Sequence, residues 1–252
     1  MVLPAGLCVL LTVAGCVSAP PPQGSPTLRE ANRMEAAATP QRAVAAPGQA
    51  LGDLERAARL YALMDDTTGV VRVYLTIARL QEHHGEIAVA ARDANMALQL
   101  SEETGDVETR FRGLLMAGRL QADADRFAQA LAVAPGKLEK AVALTYLQRH
   151  VEAYDLISGL AEPQPDQLGD LAFVLHGHAQ SVRSRDSAER ALTLYRLADN
   201  YHGIGRCLRL LGDIAAQDGA EAVAVRYRAR AARVEAAIAG AMPGVTQSSD
   251  RQ

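Results

Sequence analysis

The stretch LRLLGDIAAQDGAEAVAVRYRARA, residues 208–231, decides the fold of this chain. It contains two apolar segments with a helical period, and the turn signal Asp218-Gly219 separates them. Gly212 lies before this turn, and Ala224 lies twelve residues after Gly212. Because two antiparallel helices approach closely only where neither carries a large side chain, this spacing predicts a tightly packed helical hairpin.

A pair of small residues twelve apart recurs at four other places in the chain. Each pair spans a predicted turn, and chance does not supply that placement even in a sequence rich in alanine. A third small residue follows seven positions later at Ala97, Ala198 and Ala231, whereas Lys137 and Leu160 depart from the pattern. The five pairs are Ala78/Ala90, Gly118/Ala130, Ala141/Ala153, Ala179/Ala191 and Gly212/Ala224.

The five units resemble the tetratricopeptide repeat, a helical hairpin with a period of about 34 residues. The last unit matches best, with Leu211-Gly212 before the turn, Gly219 in the turn, and Ala224 and Tyr227 after it, whereas the two middle units are degenerate. The resemblance covers residues 52–240. It implies an all-α fold in which the hairpins stack side by side as an α-solenoid.

Helical periodicity extends over residues 51–241, which we predict to be one helical repeat domain. Turn signals such as Gly85, Gly105 and Pro135-Gly136 divide it into about ten helices of typical length. The polar residues 242–252 are predicted to form a disordered tail.

An apolar segment without charged side chains opens the chain, at residues 1–15. It is shorter than the roughly 20 residues that span a bilayer, and it is typical of a signal peptide. Val13-Ala14-Gly15-Cys16 resembles the lipobox of bacterial lipoproteins, which implies cleavage before Cys16 and a lipid anchor on its sulfur. The segment lacks the usual Lys or Arg near its start, so an ordinary secretory signal is the alternative.

The residues after the lipobox suggest where the chain is held. Val17 follows Cys16 where inner-membrane lipoproteins have Asp, and by this resemblance the anchor belongs to the periplasmic face of the outer membrane. In a Gram-positive cell it would belong to the cell membrane. Seven of the eleven prolines lie at or before Pro47, so we predict a flexible Pro/Ala-rich tether over residues 16–50, with a weak helix at 28–38.

The composition excludes several classes of protein. Only 4% of the 252 residues are aromatic, which argues against a β-sandwich or barrel. A net charge of −3 argues against a duplex-binding protein, which neutralises phosphates with a basic surface. We therefore expect no nucleic-acid partner.

The sequence contains no recognisable catalytic motif, and we predict neither an enzyme nor a cofactor. His83-His84 and the pair His176 and His178 have spacings that put their imidazoles on different faces of a helix, so no metal site is predicted. Cys207 is predicted to be a buried helical thiol.

Arginines recur at the positions that face a partner in the family this chain resembles. The resemblance implies that the first helix of each hairpin lines a concave groove, with its second, fifth, ninth and twelfth positions towards the partner. The corresponding residues are Arg72, Leu75, Arg79, Arg112, Leu115, Arg119, Phe173, His176, Gln180, Arg183, Arg206 and Arg209. Bidentate arginine pairing suits an extended or helical peptide that bears carboxylates.

These observations favour a lipid-anchored envelope adaptor that binds partner proteins, in outer-membrane, pilus or secretion, or cell-wall assembly. A scaffold of this kind needs a rigid repeat surface and a tether, and no reactive residue. The alternative is a small-molecule or glycan-binding lipoprotein that assists an envelope enzyme. Phe173, Tyr195, Tyr201 and His176 are the residues that could line such a pocket.

Overall fold

The computed structural model describes residues 25–160 and 163–240, and over these residues the protein is all-α. Neither range contains a β-strand, which confirms the predicted class at this level. A short 3₁₀ turn at Pro165–Gln167 precedes α10. The helices are α1 Pro26–Ala37, α2 Pro40–Ala45, α3 Pro47–Leu63, α4 Thr67–His83, α5 Ile87–Thr104, α6 Val107–Gln121, α7 Ala124–Val133, α8 Lys137–Tyr146, α9 His150–Ile157, α10 Leu168–Val182, α11 Arg185–Leu197, α12 Tyr201–Gln217 and α13 Glu221–Ile238.

Helices α4 to α13 pair into five hairpins, each made of two consecutive helices joined by a short turn. Each substantial helix–helix contact joins neighbours in the chain or helices two apart, such as α4 with α6 and α8 with α10. The main contacts between hairpins therefore follow their order in the chain.

The small-residue pairs lie where the two helices of each hairpin meet. All ten residues are buried, and the eight alanines among them have no exposed surface. A Cβ placed on Gly118 would lie 2.8 Å from a ring carbon of Phe127, and one on Gly212 would lie 3.4 Å from the Ala224 carbonyl oxygen. The spacing of twelve therefore marks the close approach between paired helices.

One local arrangement occurs twice, at the junctions α3–α4 and α11–α12. In the first, the ring of Tyr61 covers Gly69, and in the second, the ring of Tyr195 covers Gly203. At each junction the residue three before the glycine caps the helix, because its side chain accepts a hydrogen bond from the glycine N–H. The sequence shows the repeat as Y-x-L-x-D-x-x-x-G, at residues 61–69 and 195–203.

The structure differs from the tether predicted over residues 16–50. Helix α1 begins at Pro26 after the Ser25 N-cap, and it packs against α3 with Ala31 fully buried. Pro26, Pro40 and Pro47 begin helices α1, α2 and α3 instead of extending the chain, because the first helical turn needs no N–H donor and tolerates proline. The ordered part of the protein therefore begins well before residue 51.

Candidate functional site

The inner face of the hairpins encloses two adjoining cavities of about 770 and 640 Å³. The first helices of all five hairpins, α4, α6, α8, α10 and α12, supply residues to the lining of the larger one. Four residues line both cavities, namely Tyr146, Phe173, Arg206 and Arg209. The two cavities are therefore parts of one groove, and we call it the inner groove.

Most residues predicted to face a partner lie in the inner groove. Seven of the twelve line the larger cavity: Arg79, Arg112, Leu115, Arg119, Phe173, Arg206 and Arg209. His176 and Arg183 line the smaller cavity, as does Gln180. Arg183 reaches it from the turn after α10, where it has a left-handed φ of 58°, instead of from a helix face.

Arg72 and Leu75 do not line either cavity. Leu75 is buried among Val71, Ala78 and Ala90, so it belongs to the core. Arg72 is engaged by α1, because Glu35 accepts hydrogen bonds from its guanidinium at 2.6 and 2.8 Å. Leu75 lies outside the groove because it packs in the core, and Arg72 lies outside it because α1 engages its guanidinium, a contact that the repeat pattern does not indicate.

Tyr61 joins the Glu35–Arg72 pair in a polar network. Its hydroxyl lies 2.7 Å from Glu35 and 2.5 Å from Asn32, and the Arg72 guanidinium donates to it at 3.0 Å. Burial alone would raise the pKa of Glu35, but the hydrogen bonds from Arg72 and Tyr61 outweigh burial and hold this pKa below its ordinary value. The network fixes α1 to α3 and α4.

The five arginines of the larger cavity divide into two groups. Arg112 pairs with Glu108 at 2.5 Å, Arg119 pairs with Glu82 at 2.5 Å, and Arg209 pairs with Glu235. Arg79 and Arg206 make no ion pair or hydrogen bond with any residue in the described ranges.

The side chain of Arg79 lies in the larger cavity, where it is exposed to solvent between the cavity walls. The surrounding protein lowers the pKa of Arg79, and the nearby charge of Arg119 lowers it further. The carboxylate of Asp170 is an electrostatic partner of Arg79 but lies outside ion-pair distance. Burial raises the pKa of Asp170, against the influence of Arg112 and Arg79. The cavity wall thus combines arginines without an ion pair and one carboxylate whose pKa is raised.

Two histidines meet across the larger cavity, and the sequence analysis did not foresee this contact. The rings of His83, at the end of α4, and His202, at the start of α12, stack with centroids 4.3 Å apart and planes 2° apart. Burial, together with the nearby charges of His202 and Arg119, lowers the pKa of His83 to about 4. Both imidazoles are therefore neutral at pH 7, since the pKa of His202 is also lowered, mainly by burial.

An aromatic row forms the floor between the two cavities. Phe127 stacks on Tyr146, and Tyr146 in turn contacts Phe173, with ring centroids 4.7 Å apart in both pairs. Tyr195 also lines the larger cavity, and its buried hydroxyl has no hydrogen-bond partner within the part of the chain that the structure describes. These rings provide an apolar surface beside the arginines.

The smaller cavity has a different chemistry. Gln148, His150 and Gln180 line it with hydrogen-bonding groups, and the buried Nδ1 of His150 has no partner among the described residues. Gly177 leaves room for this imidazole, since a Cβ there would lie 2.7 Å from His150 Nδ1.

Cys207 is fully buried, as predicted from the sequence. Its sulfur lies 3.3 Å from His176 Nδ1, and burial raises the pKa of the thiol to about 12. Burial also lowers the pKa of His176 to about 4, so this pair is neutral at pH 7 and contains no thiolate nucleophile. Within residues 25–160 and 163–240 no cluster of three potential ligands could hold a metal ion.

Several predictions fall on residues that the structure does not describe. These are the signal peptide at 1–15, the lipidated Cys16, the first part of the tether and the tail at 242–252. In the described ranges, no helix combines the length and the apolar character needed to cross a bilayer.

Comparison with known proteins leaves the chain without a family assignment. No protein-family model and no curated protein sequence matches it. Among solved structures, BtubC (BKLC) from P. vanneervenii is similar, with 18% identity over 90% of this chain and 93% of its own length, and a TM-score of 0.36. A similarity of this size supports no conclusion about function.

Proposed function

We propose that the chain is an envelope adaptor whose inner groove binds a segment of a partner protein. The observation that carries this proposal is the lining of the groove, to which the first helices of all five hairpins contribute. A surface built from successive hairpins is long and continuous, and it suits an extended or helical segment better than a compact ligand. Binding by such a surface requires no catalytic residue.

The adaptor proposal includes an α-solenoid of tetratricopeptide-like hairpins. Two features support it: the contacts between helices follow chain order, and each hairpin has a buried small-residue pair at the same spacing. Helix α3 packs on the first hairpin and α1 packs on α3, so these two helices serve as the cap that the first repeat needs, because an uncapped end would expose apolar surface to water.

The chemistry of the groove suits a partner segment with acidic and apolar side chains. Arg79 and Arg206 offer unpaired guanidinium groups, and Tyr146 and Phe173 offer an apolar floor between them and the smaller cavity. Arginine binds carboxylates with two parallel hydrogen bonds, which fixes orientation as well as adding affinity.

Photo-crosslinking in living cells tests the binding groove. A photoreactive amino acid at Leu115, which lines the larger cavity, should capture a specific partner protein. The same amino acid at Val225, which is 55% exposed on α13, is the control and should capture none of it. Equal capture from the two positions would contradict a partner-binding groove.

The lipid anchor is the second part of the proposal, and it requires its own test. The lipobox-like sequence ending at Cys16 supports it. We expect Cys16→Ser to release the protein from the membrane fraction after cell lysis, because acyl chains on the cysteine would provide the membrane affinity. Full retention of the Cys16→Ser protein in that fraction would contradict lipid anchoring.

A second candidate function is the binding of a small molecule or glycan on behalf of an envelope enzyme. Phe173, Tyr195 and Tyr201 line the larger cavity together, and the stacked His83 and His202 close one side of it. This partly enclosed shape favours a small ligand. A melting temperature that rises with envelope metabolites, combined with no specific crosslink at Leu115, would favour this candidate over the adaptor.

A further inference from the structure

Helix α13 carries three arginines on one side. Arg226, Arg230 and Arg233 are spaced by four and three residues, so their side chains share a helix face. Arg226 and Arg233 are exposed, and within residues 25–160 and 163–240 neither makes an ion pair or a hydrogen bond. The guanidinium carbon of Arg230 lies 5.3 Å from the ring centroid of Tyr227, a contact that orients the cation and leaves its charge in place. We call these three arginines the basic face.

The carboxylates of α13 lie on the other side of the helix. Glu221 and Glu235 are the two acidic residues of α13, and at 3.6 residues per turn both point away from the basic face. Glu221 lies 3.5 Å from Arg228, and Glu235 pairs with Arg209. The basic face therefore has no counter-charge on its own helix.

The shape around the basic face favours a flat partner. Exposed alanines lie beside the arginines, and a methyl group is too short to hold an approaching surface away from the guanidinium groups; they are Ala222, Ala229 and Ala237. None of the three arginines lines either cavity. A helix face without a cleft suits a broad anionic surface, whereas a peptide segment binds in a groove. The net charge of −3 argues against nucleic acid as that surface.

Contacts between helices connect α13 to the end of the chain that a lipid on Cys16 would hold. The rings of His83 and His202 stack, so α12 touches the end of α4. Helix α13 packs on α12, while α3 packs on α4 and α1 packs on α3. An anchor that holds α1 near a bilayer would therefore also keep α13 near it.

We propose that Arg226, Arg230 and Arg233 form a contact surface for anionic phospholipids, through which α13 lies along the membrane. This inference rests on the proposed lipid anchor and deepens it. The anchor attaches the chain, and the basic face sets its orientation. Each arginine near an anionic bilayer adds a modest attraction that falls off within a Debye length, so three arginines orient an anchored protein but hold an unanchored one only weakly.

This orientation leaves the inner groove accessible. Glu235 lines the larger cavity, and it lies nine residues after Arg226, which places the two side chains on opposite sides of α13. With the basic face on the bilayer, the groove side of α13 is turned away from the lipid. A partner segment can then enter the groove while the contact is made.

Vesicle co-sedimentation of the full-length chain with Cys16→Ser, which has no acylation site, tests the contact. We expect binding to vesicles of equal parts phosphatidylglycerol and phosphatidylcholine, and weaker binding to pure phosphatidylcholine. The second measurement accounts for any binding by the apolar residues 1–15. Because the attraction is electrostatic, the difference between the two vesicles should disappear as the salt concentration rises from about 50 to 500 mM.

Matched variants assign the binding to the basic face. Arg226→Gln, Arg230→Gln and Arg233→Gln together should weaken binding to the anionic vesicles by about 10- to 100-fold. The control removes the same charge from three other exposed arginines without an ion pair in the described ranges, and it should weaken binding by less than about threefold. It combines Arg59→Gln, Arg92→Gln and Arg110→Gln.

The lipid contact is rejected if the chain binds anionic and neutral vesicles equally, or if the triple variant of the basic face and the control lose binding to the same extent. Binding to soluble poly-glutamate without binding to the anionic vesicles would also reject it, and would assign the basic face to an acidic protein. These outcomes are separate from the test of the anchor, because the vesicle assay uses a chain without acyl chains.

Discussion

At the scale of single residues, the junctions between hairpins depend on glycines that aromatic rings cover. Gly203 lies in the first turn of α12 beneath the ring of Tyr195, and Gly69 lies in the first turn of α4 beneath the ring of Tyr61. Both tyrosines are about 1% exposed, so neither ring can move outward without losing buried surface. Glycine is needed at both positions because any Cβ there would collide with the tyrosine ring.

We predict that Gly203→Ala lowers the free energy of unfolding by about 1–3 kcal/mol, because the new methyl group would lie 2.5 Å from a Tyr195 ring carbon. Urea denaturation followed by circular dichroism measures this change. Gly52→Ala on α3 is the control, since nothing lies within 4 Å of that position, and it should stabilise the helix by about 0.5–1 kcal/mol. Similar values for the two variants would show that the Tyr195 ring yields easily.

At the scale of helices, small residues set how closely paired helices approach. The sequence predicted these contacts well, because a close approach requires the absence of a side chain and that absence is visible in the sequence at a fixed spacing. The helix predicted at 28–38 corresponds to α1, but its packing against the hairpins could not be predicted in the same way. Its position depends on Glu35, Tyr61 and Arg72, which are distant in the chain and meet only after folding.

The hairpin α12–α13 allows a test with a control on the same helix. Ala224 is fully buried against Gly212, and Ala229 is exposed. We expect Ala224→Leu to destabilise the protein by about 1–3 kcal/mol through overpacking, and Ala229→Leu to change stability by less than about 0.5 kcal/mol. Thermal and urea unfolding of both variants give the comparison. If the two leucines are tolerated equally, the spacing of twelve does not define the packing contact.

At the scale of the whole molecule, the contact between His83 and His202 joins helices α4 and α12, which are far apart in the chain. Most of the residues that the sequence placed in the groove line one of the two cavities, because their positions repeat from hairpin to hairpin. The histidine contact was missed because it joins residues that are far apart in the chain, whereas the repeat pattern in the sequence describes contacts within a hairpin.

The histidine stack makes stability depend on pH in a definite direction. The pKa of His83 is lowered from 6.5 to about 4, mainly by burial, so the unfolded chain binds more protons than the folded one between these values. Stability therefore decreases as the pH falls through this window. We predict that His83→Phe, which keeps a stacked ring but cannot titrate, reduces the loss of melting temperature between pH 7 and 4.5.

His84→Phe is the control for this prediction, because His84 is the neighbouring residue in the chain, whereas the stack joins His83 and His202. Its melting temperature should decrease with pH as that of the unmodified protein does. Circular dichroism at several pH values measures all three proteins. An equally steep decrease in the His83→Phe variant would show that other groups, such as the carboxylates, account for the acid sensitivity.

If Cys16 carries a lipid, the packing of α1 onto α3 limits how far the hairpins can lie from the membrane. Ser25, which caps α1, is only the ninth residue after Cys16, and nine residues extend to about 30 Å at most. A free segment up to residue 50 would instead have reached more than about 100 Å. With a lipid on Cys16, the hairpins would form a receptor held by a short tether at the membrane surface. Its ligands would then have to lie within a few nanometres of the bilayer.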